Sequence, residues 1–442
     1  MHSPIRLFVA LAAMAALAVA STAVGAHSSG TAWTRISGPA PTGVQLGLAR
    51  TADGVLHVIW NRGKGSTSIF ETRFSPAGKA AGTSTVASGW DGYAGLALLV
   101  MPDRTLRLFA AGATHAGSAA YGINTFTASA RGGTWALQNG VYWGGATANA
   151  SSVIGATLTK DGQAVTAWAG TAAEGLPPKS IPPTGYVPDQ LASHLATDAA
   201  TGGVVLSGAT IAGKGGVFVQ QVLPSPAARV VLPLPFGTND WYTNVSGRVG
   251  AAGVYVAYTD TKAVRLYRYR GGTKTLARGP LTSAGVCAGP TGRLWIAWGN
   301  QVDGLFVTRS NRSVSAFEPV QKLPGPQNTT DGLTFVQCEG SAGPLDLFAD
   351  VKAGGTPGFW QAHLLALLQL RAAVSRTKAG SKATLTLRDA GDPVAGAIVA
   401  VGGKRLTTDA SGHASLALRP GSYSATASAA GYAPASVRFS VR

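Results

Sequence analysis

The sequence predicts an all-β chain: a seven-bladed β-propeller followed by a C-terminal β-sandwich. Three observations predict it. A small-residue strand, a tight turn and a bulky alternating strand recur along the chain up to about Arg371. Only 12% of the 442 residues are charged and 59 are glycine, a balance that suits many short strands and tight turns under a Ser/Thr/Gly surface. Beyond Arg371 the texture shifts to shorter alternating runs. A hydrophobic share of 45% at strand-like spacing excludes disorder.

The N-terminus comes first. Arg6 precedes the apolar run LFVALAAMAALAVA, and Val24-Gly25-Ala26 supplies small residues before His27. This plan predicts a secretory signal peptide over residues 1–26, cleaved after about Ala26, and an extracellular protein. An uncleaved anchor stays open, because the run together with STAVGA approaches spanning length. No second run of that length follows, so no transmembrane segment is expected in the mature chain.

Seven repeats follow: GVQLGLARTADGVLHVIW, YAGLALLVMPDRTLRLFA, SSVIGATLTKDGQAVTAW, LASHLATDAATGGVVLSG, NVSGRVGAAGVYVAYTD, TSAGVCAGPTGRLWIAW and LTFVQCEGSAGPLDLFAD. Their starts lie about 38 to 58 residues apart, near the period of a four-stranded blade. Asp-Gly, Thr-Gly and Gly-Gly pairs supply the positive φ of the hairpin turns. The first strand of each is small because it lines a crowded axis, and the second is bulky because it packs between blades. Third strands follow as SIFETRFS, AYGINTFTASA, GGVFVQQVL, AVRLYRYR, GLFVTRS and PGFWQAHLL; in the third repeat EGLPPKSIPPTGYVP is too proline-rich for more than an irregular or edge segment. TWALQNGVYW and RVVLPLPF read as fourth strands.

Seven units predict seven blades, with six or eight left open by the divergent third and fourth repeats. The last unit lacks a fourth strand, and AWTRISGPA at Ala32–Ala40 is a spare one, so the N-terminal strand is expected to close the last blade of a propeller spanning residues 27–370. Cys287 and Cys338 hold the same position in the sixth and seventh repeats, which predicts a disulfide between neighbouring inner strands; two buried free thiols are the other reading.

From Arg371 to Arg442, V-A-G-A-x-V-x-V, T-D-A-S-G-x-A, L-R-P-G-S-Y and A-G-Y resemble the carboxypeptidase regulatory-like domain, an Ig-like, transthyretin-like sandwich. The resemblance implies a non-catalytic spacer or adhesive module of an exported bacterial protein. Ten Lys/Arg against three Asp/Glu make it basic, and the whole chain carries a formal charge of +17. Attraction to an anionic cell-envelope polymer and simple solubility both fit. The basic residues do not cluster, so no specific nucleic-acid partner is expected.

The repeats are also similar to the sialidase-like group of secreted propellers, whose Asp-boxes (S-x-D-x-G-x-T-W) join third and fourth strands. Ser129–Trp135, SARGGTW, falls at that place but is one residue short and lacks the aspartate. The arginine motif that sialidases use for a substrate carboxylate is also missing. The resemblance implies the fold and not the activity.

The connections into first strands carry aromatic residues beside carboxylates: Trp90, Asp91 and Tyr93 in GWDGY, Tyr142 and Trp143 in VYWGG, Asp240, Trp241 and Tyr242 in NDWYTN, and Asp331 in NTTDG. Rings pack on the C–H faces of sugars while carboxylates accept hydroxyl hydrogen bonds. Packing of these aromatics at blade ends remains the alternative. Asp53, Asp103 and Asp161 sit in repeat turns and read as structural. His57, His115, His194, His363 and His413 do not gather, two cysteines make no zinc site, and no calcium loop is present, so neither metal nor cofactor is expected.

These features predict a monomeric, exported, non-enzymatic protein that binds a glycan or another envelope ligand at the channel mouth, with the basic sandwich as spacer or anchor. The alternative is a sialidase-like or other glycan-active enzyme using Asp91 or Asp240.

Overall fold

Alternating strands with one buried face must find partners above and below, and a chain of four-stranded units does so by closing on itself. The computed structural model describes residues 21–24, 32–37, 46–61, 68–89, 92–101, 103–113, 122–128, 132, 134–141, 146–148, 153–158, 165–170, 179–180, 194–210, 216–225, 227–232, 244–260, 262–279, 283–377 and 380–442. The chain divides into two compact units, one spanning His27–Ala366 with Ala390–Asp392, the other built mainly from Leu367–Asp389 and Pro393–Arg442.

The first unit is a β-propeller. Its described residues form seven four-stranded antiparallel sheets. The inner strands are Gly47–Arg50, Gly92–Val100, Ala146–Ala148, His194–Thr197, Asn244–Arg248, Ser283–Ala288 and Phe335–Glu339. Each neighbours the next, and the last neighbours the first, so the ring is closed. Small residues on these strands have a steric reason. A Cβ at Gly247 would overlap the carbonyl oxygen of Thr197 on the adjacent inner strand. Second strands such as Leu56–Asn61 and Leu294–Asn300 are buried along their whole length.

Between the first and second sheets Ile59, Ile69, Leu98, Leu106 and Leu108 form one core cluster. Between the fifth and sixth, Leu266, Val286, Ile296 and Trp298 form another. Each such side chain contributes about 1.5–3 kcal/mol when fully buried.

Trp33–Arg35 is the outer strand of the seventh sheet, with Trp33 opposite Ala362 and Arg35 opposite Trp360. The Ile36 N–H donates to the Phe359 carbonyl at 3.0 Å, and the Phe359 N–H donates to Ser37 Oγ at 2.9 Å. Ile36 joins Leu56, Val58, Trp60, Phe74, Phe335, Phe348 and Phe359 in one core cluster, so the joint is apolar as well as hydrogen-bonded. A disulfide joins Cys287 to Cys338 on the sixth and seventh inner strands, with Cα atoms 5.7 Å apart.

The third sheet departs from the expected register. SSVIGATL supplies its second strand, Val153–Leu158, and the following run its third, Val165–Gly170. The inner place goes to Ala146–Ala148, three small residues where a strand bearing Val153, Ile154 and Leu158 would be the bulkier choice beside the axis. Lys179–Ser180, within the proline-rich stretch, is the two-residue outer strand.

The second unit is a β-sandwich. One sheet holds Gln369–Thr377, Gly380–Asp389 and His413–Leu418; the other runs Lys404–Thr407, Ile398–Val401, Gly421–Ser428, Ala435–Val441. Leu370, Leu385 and Leu387 of the first meet Val399, Ala425 and Val437 of the second in one core. Burial alternates residue by residue along Ala435–Val441, as a half-buried strand requires. Ser21–Val24, within the segment read as a leader, pairs antiparallel with Gln369–Ala372 at the edge of the first sheet. In the T-D-A-S-G turn, Asp409 Oδ1 accepts the N–H groups of Ser411 and His413, both at 2.9 Å, and these bonds keep its carboxyl below the usual range.

Candidate functional site

Four antiparallel strands return the chain to the end where it started, so every inner strand of the ring begins at the same end. The aromatic–acid residues are tied to those starts by short lengths of chain. Trp90 and Asp91 immediately precede the strand beginning at Gly92, Tyr142 and Trp143 precede Ala146, and Asp240, Trp241 and Tyr242 precede Asn244. These seven residues lie outside the described residues. Tyr93 is the second residue of its inner strand, with its backbone opposite Gly112.

Asp331 is described, and it is exposed. Its N–H donates to Thr329 Oγ1 at 3.0 Å and its carbonyl accepts the Lys352 N–H at 2.8 Å, so its backbone is held while its carboxylate faces solvent. The preceding turn, Pro326–Asn328, is tight, with Gln327 and Asn328 in left-handed conformations at φ 50 and 62°.

Connections between second and third strands open at this same end, and one of them carries residues that the sequence did not single out. In Asn300–Asp303, Asn300 Oδ1 accepts the N–H groups of Val302 (2.9 Å) and Asp303, while Asn300 Nδ2 donates to Asp303 Oδ2 at 2.7 Å. The turn presents Val302 at 89% exposure. Gln301 Nε2 reaches across to the Leu333 carbonyl at 3.4 Å, linking this turn to the Asp331 segment. The exposed Val302 thus sits on a turn that Gln301 ties to the segment carrying Asp331, whose carbonyl in turn holds the Lys352 N–H. The signal was the Gly299-Asn300 to Asp303-Gly304 punctuation, which specifies a turn but not its place in the ring. Below it, Thr334 Oγ1 donates to Asp350 Oδ2 at 2.6 Å. Asp350 is buried, and burial pushes its carboxyl up to about 7.

The opposite end is structural in character. Asp53 accepts Thr51 Oγ1 at 2.6 Å and the Val55 N–H at 3.2 Å, and these bonds lower its carboxyl's affinity for a proton. Asp103 does the same with Thr105. Asp198 accepts the N–H groups of Ala200 and, on the next sheet, Gly253, both at 2.9 Å. Asp161 lies outside the described residues.

The Asp-box-like stretch joins the third and fourth strands of the second sheet. Its Trp135 Nε1 donates to Glu71 Oε2 of the first sheet at 3.1 Å, and His57 Nδ1 lies 2.6 Å from Glu71 Oε1. Both His57 and Glu71 are sealed from solvent, so this network staples two sheets and offers no substrate access. His363 contacts Asp346 and His413 contacts Thr386, each at 3.0 Å. Among the described residues no group of three or more His, Cys, Asp or Glu is arranged to hold a metal, and no helix is long and apolar enough to cross a membrane.

No family model matches the chain, and no curated protein matches it. Solved structures similar to it include the BP39L lectin from Burkholderia pseudomallei, at TM-score 0.49 and 13% identity over 77% of this chain and 97% of that one. AofleA from Arthrobotrys oligospora is similar at TM-score 0.46 and 13% identity, over 66% of this chain and 89% of that one. Polysaccharide lyase Uly1 is similar at TM-score 0.46 and 11% identity, over 77% and 93% of the two chains.

Proposed function

We propose that this chain is an exported, monomeric glycan-binding protein that takes its ligand at the end of the ring where the inner strands begin. One observation carries the reading: the ring brings the starts of all inner strands to one end, and four of the segments leading into them hold aromatic residues or carboxylates. Indole and phenol rings cover the C–H faces of a pyranose, and Asp331 has an open carboxylate to accept its hydroxyls. The ring is a seven-bladed relative of sialidase-like propellers whose Asp-box position has become the Trp135–Glu71 staple. The sandwich is a carboxypeptidase regulatory-like module, and its ten basic residues draw the protein to an anionic envelope polymer.

The test is binding of the exported chain to immobilised glycans. Trp90→Ala, Trp143→Ala and Trp241→Ala are each expected to weaken binding of the retained glycan by about tenfold or more, roughly 1.4 kcal/mol. Unchanged affinity in all three removes the site from this end of the ring. Sugar released from the bound glycan, and lost in Asp91→Asn or Asp240→Asn, identifies an enzyme instead.

A further inference from the structure

Two small-residue triplets are available to a leader protease near the N-terminus: Ala18-Val19-Ala20 and Val24-Gly25-Ala26. Both satisfy the small-x-small requirement, and sequence alone does not choose between them. The apolar run Leu7–Ala20 is already of hydrophobic-region length, so a cut directly after it is as well formed as one six residues later.

The fold distinguishes the two. Ser21–Val24 is a strand of the sandwich, with Ser21 opposite Ala372, Thr22 opposite Arg371, Ala23 opposite Leu370 and Val24 opposite Gln369. It covers the outer edge of Gln369–Thr377, whose other edge is taken by Gly380–Asp389. Leu370 and Ala372 belong to the sandwich core. A cut after Ala26 discards this strand and leaves Gln369–Ala372 as an unpaired edge, the kind of surface that recruits foreign strands. A cut after Ala20 keeps it.

We infer that the mature chain begins at Ser21, and that Ser21–Val24 is a permanent edge strand of the sandwich rather than part of the discarded leader. The N-terminal segment then serves both units in the same way: Ser21–Val24 closes an edge of the sandwich and Trp33–Arg35 closes the last sheet of the ring. This inference rests on the reading that the chain is exported with a cleavable leader.

The experiment is expression of the full chain in an exporting bacterial host, followed by N-terminal sequencing and intact mass of the exported protein. Amide hydrogen exchange is then read over Gln369–Ala372. The expected result is Ser21 as the first residue, with amides in Gln369–Ala372 exchanging at least tenfold more slowly than in a chain made to begin at His27. Export with His27 first overturns the inference and leaves the export reading standing. Equal exchange in the two chains overturns the structural role of the strand. A chain that stays uncut and inside the cell overturns the export reading and the inference with it.

Discussion

Arg50 Nε is ion-paired with Glu339 Oε2 at 2.6 Å, joining the last residue of the first inner strand to the last residue of the seventh, 289 positions along the chain. The same guanidinium reaches Asp346, whose other oxygen accepts Gln361 Nε2 at 2.6 Å and faces His363 Nδ1 at 3.0 Å. The Arg50 side chain is 5% exposed and that of Asp346 1%. A forked cation thus spans the seam where the ring closes, at the end opposite the candidate site.

Arg50→Met is therefore expected to strand two carboxylates at the seam and destabilise the ring by about 3–5 kcal/mol. Arg50→Lys should restore only part of this, because an ammonium lacks the fork that serves both partners. Urea unfolding of the three proteins measures it, and coincident midpoints would show that the seam is held by its apolar core alone.

Asp350 makes stability fall as pH rises. Its folded carboxyl titrates near 7 because burial disfavours the anion, whereas an unfolded aspartate titrates near 3.9. Between those values the folded state holds the extra proton, so stability is lost from about pH 4 up to about pH 7 and stays lost above it. The contribution is on the order of 3–4 kcal/mol. Asp350→Asn, which still offers Thr334 an acceptor, should gain on the native protein as pH is raised from 4.5 to 7.5. A difference between the two proteins that does not change with pH would rule this out.

The Cys287–Cys338 bridge closes a loop of 51 residues. The chain-entropy relation gives about 4 kcal/mol for a loop of that length. The double variant Cys287→Ser, Cys338→Ser should show a lower denaturant midpoint that no longer responds to reductant, whereas the native chain should fall to a similar midpoint on reduction.

Gly132 and Gly202 separate backbone strain from close approach. Both have left-handed φ, 69 and 68°. A Cβ at Gly202 meets nothing within 4 Å, whereas one at Gly132 would lie 2.5 Å from Glu71 Oε1. Gly202→Ala should cost about 1 kcal/mol and Gly132→Ala about 2 kcal/mol or more, since it also pushes on the buried His57–Glu71–Trp135 network. Thermal unfolding of the pair checks the order.

The readable parts of this protein are local. TADG and GPTG announce turns, and the alternating bulky residues after them announce strands that lie between sheets. Asp53 and Asp103 read as turn residues, and their hydrogen bonds to Thr51 and Thr105 are within two residues. The third repeat misled because SSVIGATL has the pattern of an inner strand, while the smaller Ala146–Ala148 competes for the crowded place beside it. Glu71 and Arg50 gave no signal at all, since their partners Trp135 and Glu339 are 64 and 289 residues away. The candidate site shows the same division: Asp331 was legible as an acid in a loop, whereas its backbone bond to Lys352 and the tie from Gln301 to its segment were not.

What the amino-acid order determined by itself is the strand period, the turn positions and the change of texture near Arg371, all of which depend on residues a few positions apart. Tertiary structure alone decided which strand is innermost, which buried charges are neutralised and by whom, and which side chains share one end of the ring. The reason is physical. Period and turn chemistry are set by backbone torsions and nearest neighbours, but the partners of a buried Arg50 exist only once the ring has brought distant strands side by side.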